Sequence, residues 1–284
     1  MKKFLISLIL IALTGVMLPF AAYAEGEAAQ SAEVYVNIIN GDPMVAMKKT
    51  VVTDTDNDGI LSISDALFCA HQASYPGGAD AGYATETTQW GLSMVKLWGV
   101  ANGGSYGYYL NNASPLSLYD AVVDGDIVSA FVYQDTTFFS DTYSYFDKGT
   151  AECNTGDEIT LTLTCIQFDA ASGNMVAKPA EGATVTVNGV ETDYRTDANG
   201  RVTVKLQGSG EQLISAKSDL NLVAAVCVVK VADSSGSSEV PPPTVTGPAD
   251  DNGSYGWIIA ICAAVIVAVF SVALIASQKY RRNK

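Results

Sequence analysis

Apolar residues at every second position, in short runs closed by Gly, Asn, Asp or Pro, recur from Val34 to Val231 and leave this chain little choice but β-sheet. In Glu158–Phe168 the apolar face is Ile159, Leu161, Leu163 and Cys165, with threonines between. Val34, Val36 and Ile38 alternate with Tyr35, Asn37 and Ile39, and Asn40-Gly41-Asp42-Pro43 turns the chain into a second strand from about Met44 to Val52. The period then changes: Ile63, Leu67 and Ala70 fall at helical spacing and predict a helix to about Ala73. A Gly- and Ala-rich connection is expected over Tyr75–Thr88, then an apolar stretch Trp90–Trp98 and strands at Tyr106–Leu110 and Ile127–Tyr133. After Gly149 the spacing predicts strands at Glu158–Phe168, Ala183–Val187, Arg201–Leu206, Gln212–Lys217 and Leu222–Val231, which suits a sandwich.

The two ends differ from this pattern. Lys2 and Lys3, an apolar run from Phe4, and Ala22-Tyr23-Ala24 predict a secretory signal peptide over 1–24. Trp257–Ala276 carries no charge and is long enough, at ~1.5 Å per residue, to span a bilayer core of ~30 Å. Lys279, Arg281, Arg282 and Lys284 follow it, so a transmembrane helix is expected over 256–277, with a cytoplasmic tail over 278–284 and the N-terminal region outside. Ser-Gly and Pro runs over 233–255 predict a stalk. Six of the chain's 16 basic residues sit in those two ends, so the middle holds 10 basic against 30 acidic residues, a formal charge of −20. A surface so acidic repels phosphate, which excludes nucleic acid as a partner.

One acidic cluster is ordered. Asp54-Thr55-Asp56-Asn57-Asp58-Gly59-Ile60-Leu61-Ser62-Ile63-Ser64-Asp65 places carboxylates at positions 1, 3, 5 and 12 and glycine at 6. Ca²⁺ takes six to eight oxygens at ~2.3–2.6 Å, and this spacing wraps them around one centre. The expected ligands are Asp54, Asp56, Asp58, the Ile60 carbonyl, Ser62 and Asp65. The same residues also admit a metal-free explanation, a solvated turn in which Ser62 and Asp65 form a capping box for the helix. The aspartate at position 12 resembles the calcium loops of dockerin modules.

Cys69, Cys153, Cys165 and Cys227 lie outside the apolar segments. Strand phase turns Cys165 and Cys227 into one core, so the expected pairs are Cys165 with Cys227 and Cys69 with Cys153, four free thiols being the alternative. No CxxC spacing suggests zinc.

The order β-β-α-β-β with a late Asp-Gly-Asp turn is a β-grasp pattern, expected over 25–148. Ile63-Ser64-Asp65-Ala66-Leu67, Gly107-Tyr108-Tyr109-Leu110-Asn111-Asn112 and Val123-Asp124-Gly125-Asp126-Ile127-Val128 resemble the helix-opening, "GWxYxVNG" and "LxxGDxVxWxY" segments of transcobalamin C-terminal-like β-grasp domains. Tyr108 stands where tryptophan is common in that group. Pro179–Gly189 and Thr196–Val204 resemble the "GAxVxVNG" and "TDxNGxVxV" segments of bacterial Ig-like or carboxypeptidase-regulatory-like domains, which implies an Ig-like sandwich over 149–232. The fold class is therefore mainly β, an α+β domain followed by a sandwich.

No nucleophile elbow and no phosphate-binding glycine loop is present, and His71 is the single histidine, so no enzyme is expected. Strand aromatics usually pack, so core and inter-domain packing is the expected role of most of these rings; those left over would form a stacking face, for which Tyr106, Tyr108, Tyr109, Phe138 and Phe139 are the candidates, for a glycan, a small molecule or a protein. The β-grasp resemblance implies a corrinoid or other small hydrophobic ligand. The expected function is a calcium-binding cell-surface protein that displays this module, the alternative a purely structural or adhesive surface component.

Overall fold

A computed structural model describes residues 30–103 and 105–233. The signal peptide, most of the stalk, the transmembrane helix and the tail expected from sequence lie outside the described residues. Among the described residues no helix is long and apolar enough to cross a membrane.

In chain order, strands β1 (Ser31–Asn40) and β2 (Asp42–Thr53) form the hairpin that the Asn-Gly-Asp-Pro turn demands, with Gly41 at φ +73°. Helix α1 (Ile63–Ser74) follows, then a short helix α2 (Gly78–Gly82), a second hairpin of β3 (Ala84–Thr88) and β4 (Gly91–Lys96), and strands β5 (Tyr106–Leu110) and β6 (Ile127–Val132). The main sheet runs β2-β1-β6-β5, with β1 and β6 parallel at its centre and the outer pairs antiparallel. Helix α1 packs Ile63, Ala66, Leu67 and Ala70 onto the face carrying Val34, Val36 and Ile38. Fully burying each of the larger side chains contributes about 1.5–3 kcal/mol. The 75–88 connection is not plain loop: it holds α2 and β3, whose Thr- and Glu-rich sequence lacks the alternation that announces a strand.

The second half is a β-sandwich built from β7 (Ser144–Phe146), β8 (Thr150–Asn154), β9 (Glu158–Asp169), β10 (Asn174–Pro179), β11 (Thr184–Val187), β12 (Val190–Arg195), β13 (Arg201–Lys205), β14 (Gly210–Lys217) and β15 (Cys227–Ala232). One sheet orders β10-β9-β13 with β7 also on β9; the other orders β12-β11-β14-β15-β8. Leu161, Leu163 and Cys165 from the first meet Val185, Ile214, Cys227 and Val229 from the second in one dry core. Leu222–Val226 precedes β15 as irregular chain, although mostly buried, so the expected Leu222–Val231 strand is shorter than its apolar run. Because β7 pairs with β9, the sandwich begins before Gly149.

The halves pack together as one compact unit. The C-terminal half of β1 is buried on both faces, and a third cluster of Ile39, Phe131, Tyr143, Val223 and Ala224 fills the junction. The buried Asn37 side chain accepts from the Met47 amide (2.6 Å) and donates to the Ser129 hydroxyl (3.1 Å), fixing a bulge where Met47 takes φ +42°. Mainly β architecture thus stands, with α1 its one long helix among the described residues.

Candidate metal loop and aromatic surface

The 54–65 loop leaves the end of β2 and enters α1. Asp54 draws the chain round: its carboxylate accepts from the amides of Asn57 (2.7 Å), Asp58 (3.2 Å) and Gly59 (2.8 Å). Gly59 at φ +88° and Asn57 at φ +63° supply the left-handed residues this curl requires. Asp58 turns back to its own Ile60 amide (2.8 Å). Oxygens of Asp54, Asp56 and Asp58 consequently lie within 4.8 Å of one another.

Their electrostatics diverge. The Gly59 amide, with those of Asn57 and Asp58, holds the Asp54 carboxyl below its ordinary value. Asp56 is pushed up by desolvation among its neighbours, and the charges of Asp58 and Asp65 add to this. Clustered anions with one carboxyl resisting ionisation are the condition a hard dication relieves.

Asp65 and Ser62, expected to close the ligand set, are instead turned on one another. Ser62 is the N-cap of α1: its hydroxyl accepts from the Asp65 amide (3.2 Å), and one Asp65 oxygen accepts from the Ser62 amide (3.0 Å) and hydroxyl (2.6 Å). The other oxygen takes the Thr55 amide (2.8 Å) and the Thr55 hydroxyl. Four donors fill about the four lone-pair sites a carboxylate offers, so Asp65, 2 % exposed, is spent as a structural link. The structure brings together Asp54, Asp56 and Asp58, hard oxygen donors of the kind Ca²⁺ takes, and leaves Ile60, whose carbonyl is the fourth expected ligand, exposed after the turn.

The aromatic candidates separate into two groups. Tyr106 is structural: its hydroxyl bonds the Val95 (2.9 Å) and Val100 (2.8 Å) carbonyls. Tyr109 stacks on Tyr143 at 3.7 Å and 6° in the junction. Tyr108 is half-buried against the first core and lines, with Tyr106, Leu92 and Met94, a groove of about 500 Å³ between β4 and β5. Phe138 and Phe139 stay exposed on a loop stiffened by Asp135, whose carboxylate accepts from the Thr137 and Phe138 amides and the Ser140 hydroxyl. The Ser140 hydroxyl and the Phe138 amide hold the Asp135 carboxyl down at about 2. The five rings therefore do not form one face.

All four described cysteines are free thiols, which corrects the expected bridges. Cys165 and Cys227 do enter one core, where both sulfurs stay unbridged. Strand phase sets the face a side chain takes and not how near it comes to one on the opposite sheet, and a bridge needs Cα atoms ~4.4–6.8 Å apart. Cys69 sits on α1 near Thr53, and Cys153 sits on β8 of the sandwich.

His71 is buried with both ring nitrogens engaged: Nδ1 bonds the Leu67 carbonyl (2.7 Å) and Nε2 accepts from the Trp98 amide (3.1 Å). Burial pushes its pKa down, and Tyr83 stacks on it at 5.2 Å. Sequence reading placed it on the helix but missed this role, because the Trp98 amide is 27 residues away.

No family model matches the chain, and no curated protein does. Among solved structures it is similar to the D0-D1 domain of intimin, at 17 % identity and TM-score 0.25, covering 53 % of this chain and 80 % of that one. It is also similar to the N-terminal four Ig domains of Dscam1 isoform 4.44, at 10 % identity and TM-score 0.20, covering 72 % of this chain and 44 % of that one. The chain thus spans less than half of that Dscam1 structure. Superpositions this poor assign neither fold nor function, which rest on the architecture itself.

Proposed function

We propose that this chain is a non-enzymatic, calcium-stabilised surface protein in which a β-grasp module is displayed on an Ig-like sandwich, above a stalk and a single membrane-spanning helix. The observation that carries the calcium reading is the convergence of Asp54, Asp56 and Asp58 around a left-handed Gly59. The β-grasp reading is supported by the parallel β1–β6 pair at the centre of a mixed sheet with α1 on one face. Calcium here would join the β2 end to the start of α1 and neutralise the repulsion among three carboxylates.

Absence of catalysis is favoured by His71, whose ring nitrogens are both committed inside the core. Display of a glycan, small molecule or protein ligand is favoured by Phe138, 82 % exposed on a stiffened loop, and by the Tyr108 groove. Arrays of glycans and corrinoids probed with the protein should give a ligand whose binding falls at least tenfold in Phe138→Ala or Tyr108→Ala. Binding that both variants retain would leave the purely structural or adhesive role. The metal reading is tested by calorimetric titration with Ca²⁺: heat of binding in the wild type, none in Asp54→Ala with Asp58→Ala. A wild-type chain silent to Ca²⁺ would reduce the loop to a solvated turn with its capping box.

A further inference from the structure

A strand that ends a sheet is a template for further pairing, and folded chains blunt it with charge, proline or a bulge. Here β2 carries Lys48 and Lys49, β8 Glu152, β10 Lys178, β12 Asp193 and β13 Lys205. β5 ends the main sheet as Tyr-Gly-Tyr-Tyr-Leu, with neither charge nor proline.

Its outer edge is open at two positions. The Tyr133 amide donates to the Ser105 carbonyl (3.1 Å) and the Asn111 amide to the Ile127 carbonyl (2.8 Å), so Gly107 and Tyr109 bond β6 while Tyr106, Tyr108 and Leu110 turn their main-chain groups away from it. Leu110 exchanges its two bonds with Ala113 (3.0 and 2.9 Å), whereas the amides and carbonyls of Tyr106 and Tyr108 have no partner among the described residues. Both residues line the groove shared with Leu92 and Met94 of β4. Thr88 faces Gly91 across a two-residue turn, which makes them a hydrogen-bonded pair, so Leu92 and Met94 likewise turn their main-chain groups away from β3. Unpaired donors and acceptors on every second residue, ~6.6 Å apart, match an extended polypeptide rather than a sugar or a corrinoid.

Charge narrows the partner. Glu86 is the one charged residue that lines the groove, and Lys96, at the end of β4, is turned to the Asp80 carbonyl (3.4 Å). Burial raises the Tyr108 phenol above its ordinary value and the charge of Asp120 adds to this, so a second carboxylate acts on the same wall. Lys or Arg on the incoming strand complements these acids, while pairing β5 with β5 of a second copy would double them.

We propose that β5 accepts an extended, Lys- or Arg-bearing segment of a partner protein as a fifth strand of the main sheet, with its side chains in the groove against Leu92, Met94 and Tyr108. This rests on the ligand-display reading above and names its ligand.

Panning a random-peptide display library against the full-length chain should enrich Lys- or Arg-containing peptides. With the best synthetic peptide bound, amide exchange read by NMR should slow about tenfold or more at Tyr106 and Tyr108 and stay unchanged at Gly107 and Tyr109, whose amides already bond β6. N-methylation of alternate peptide amides should each weaken binding about tenfold, with the intervening amides indifferent. Glu86→Lys, at an exposed position, should weaken it about threefold, the scale of an exposed ion pair. Binding that ignores the N-methyl alternation, or protection at Gly107 in place of Tyr108, would overturn strand addition. Acid-rich selected peptides, or a dimer of the free chain that protects Tyr106 and Tyr108, would overturn the assignment of the partner. If glycans or corrinoids bind and no peptide is captured, the display reading stands and the added strand falls; if nothing binds, both fall.

Discussion

Two loops in this chain share their chemistry and differ in everything around it. Asp54–Gly59 and Asp197–Gly200 both open on an aspartate whose side chain gathers backbone amides, Asp197 taking those of Asn199 (2.8 Å) and Arg201 (2.9 Å). Both use a left-handed glycine, at φ +88° and +73°. The second contains one carboxylate, and its glycine is wedged against β9, where the Leu163 amide donates to the Gly200 carbonyl (2.8 Å). The first brings three carboxylates together, two of them exposed, and nothing lies within 4 Å of a side chain added at Gly59. Turn chemistry alone is thus no metal signal; what separates the loops is how many anions the turn brings together.

The glycines should break the pair most strongly. A Cβ at Gly200 would run into the Leu163 backbone carbonyl as well as strain the φ, so Gly200→Ala should cost about 3 kcal/mol or more in urea unfolding. Gly59→Ala, strained but unobstructed, should cost roughly 1 kcal/mol without Ca²⁺. Equal losses would mean that the two turns do the same structural work.

Asp65 sharpens the distinction between cap and ligand. Removing it strands the Ser62 and Thr55 donors and the capping box, so Asp65→Ala should destabilise by about 1–3 kcal/mol. That loss should be the same with and without Ca²⁺, because the structure spends this carboxylate on its neighbours. A loss confined to Ca²⁺-containing buffer would return Asp65 to the ligand set.

The smallest effect belongs to pH and to the core beneath the loops. His71 takes up a proton less readily when folded than when unfolded, so at mildly acidic pH the unfolded chain binds more protons. Its contribution is whole above the ordinary histidine value of 6.5 and declines as pH falls below it. Melting temperature should therefore drop between pH 7 and 5, with a shallower slope in His71→Leu. An identical slope would assign the pH response to the acidic loops.

Legibility in the sequence followed burial. β1, β9 and α1 bury a regular stripe, so their period stands out, and the Asn-Gly-Asp-Pro turn between β1 and β2 sits where its residues demand. β10 and β12 lie at sheet edges and bury no residue, and among the described residues β3 pairs with β4 alone, so their weak patterns went unread. Leu222–Val226 erred the other way, apolar because it fills the junction rather than because it is a strand. At the site, spacing located Asp54, Asp56 and Asp58, whereas Asp65 is decided by Thr55, a competition between donors that spacing does not express. The cysteines show the same limit, since alternation fixes a face and leaves the level along the strand open.

The most direct test of the account is Ca²⁺ titration followed by thermal melting of the wild type, Asp54→Asn with Asp58→Asn, and Asp197→Asn. A specific site filled to a hundredfold excess over its Kd stabilises the fold by about 2.7 kcal/mol, a shift of several degrees. The account predicts that shift in the wild type and in Asp197→Asn, and none in the double variant. A shift that survives in the double variant, or a wild type that melts at one temperature with Ca²⁺ and with EGTA, would contradict it.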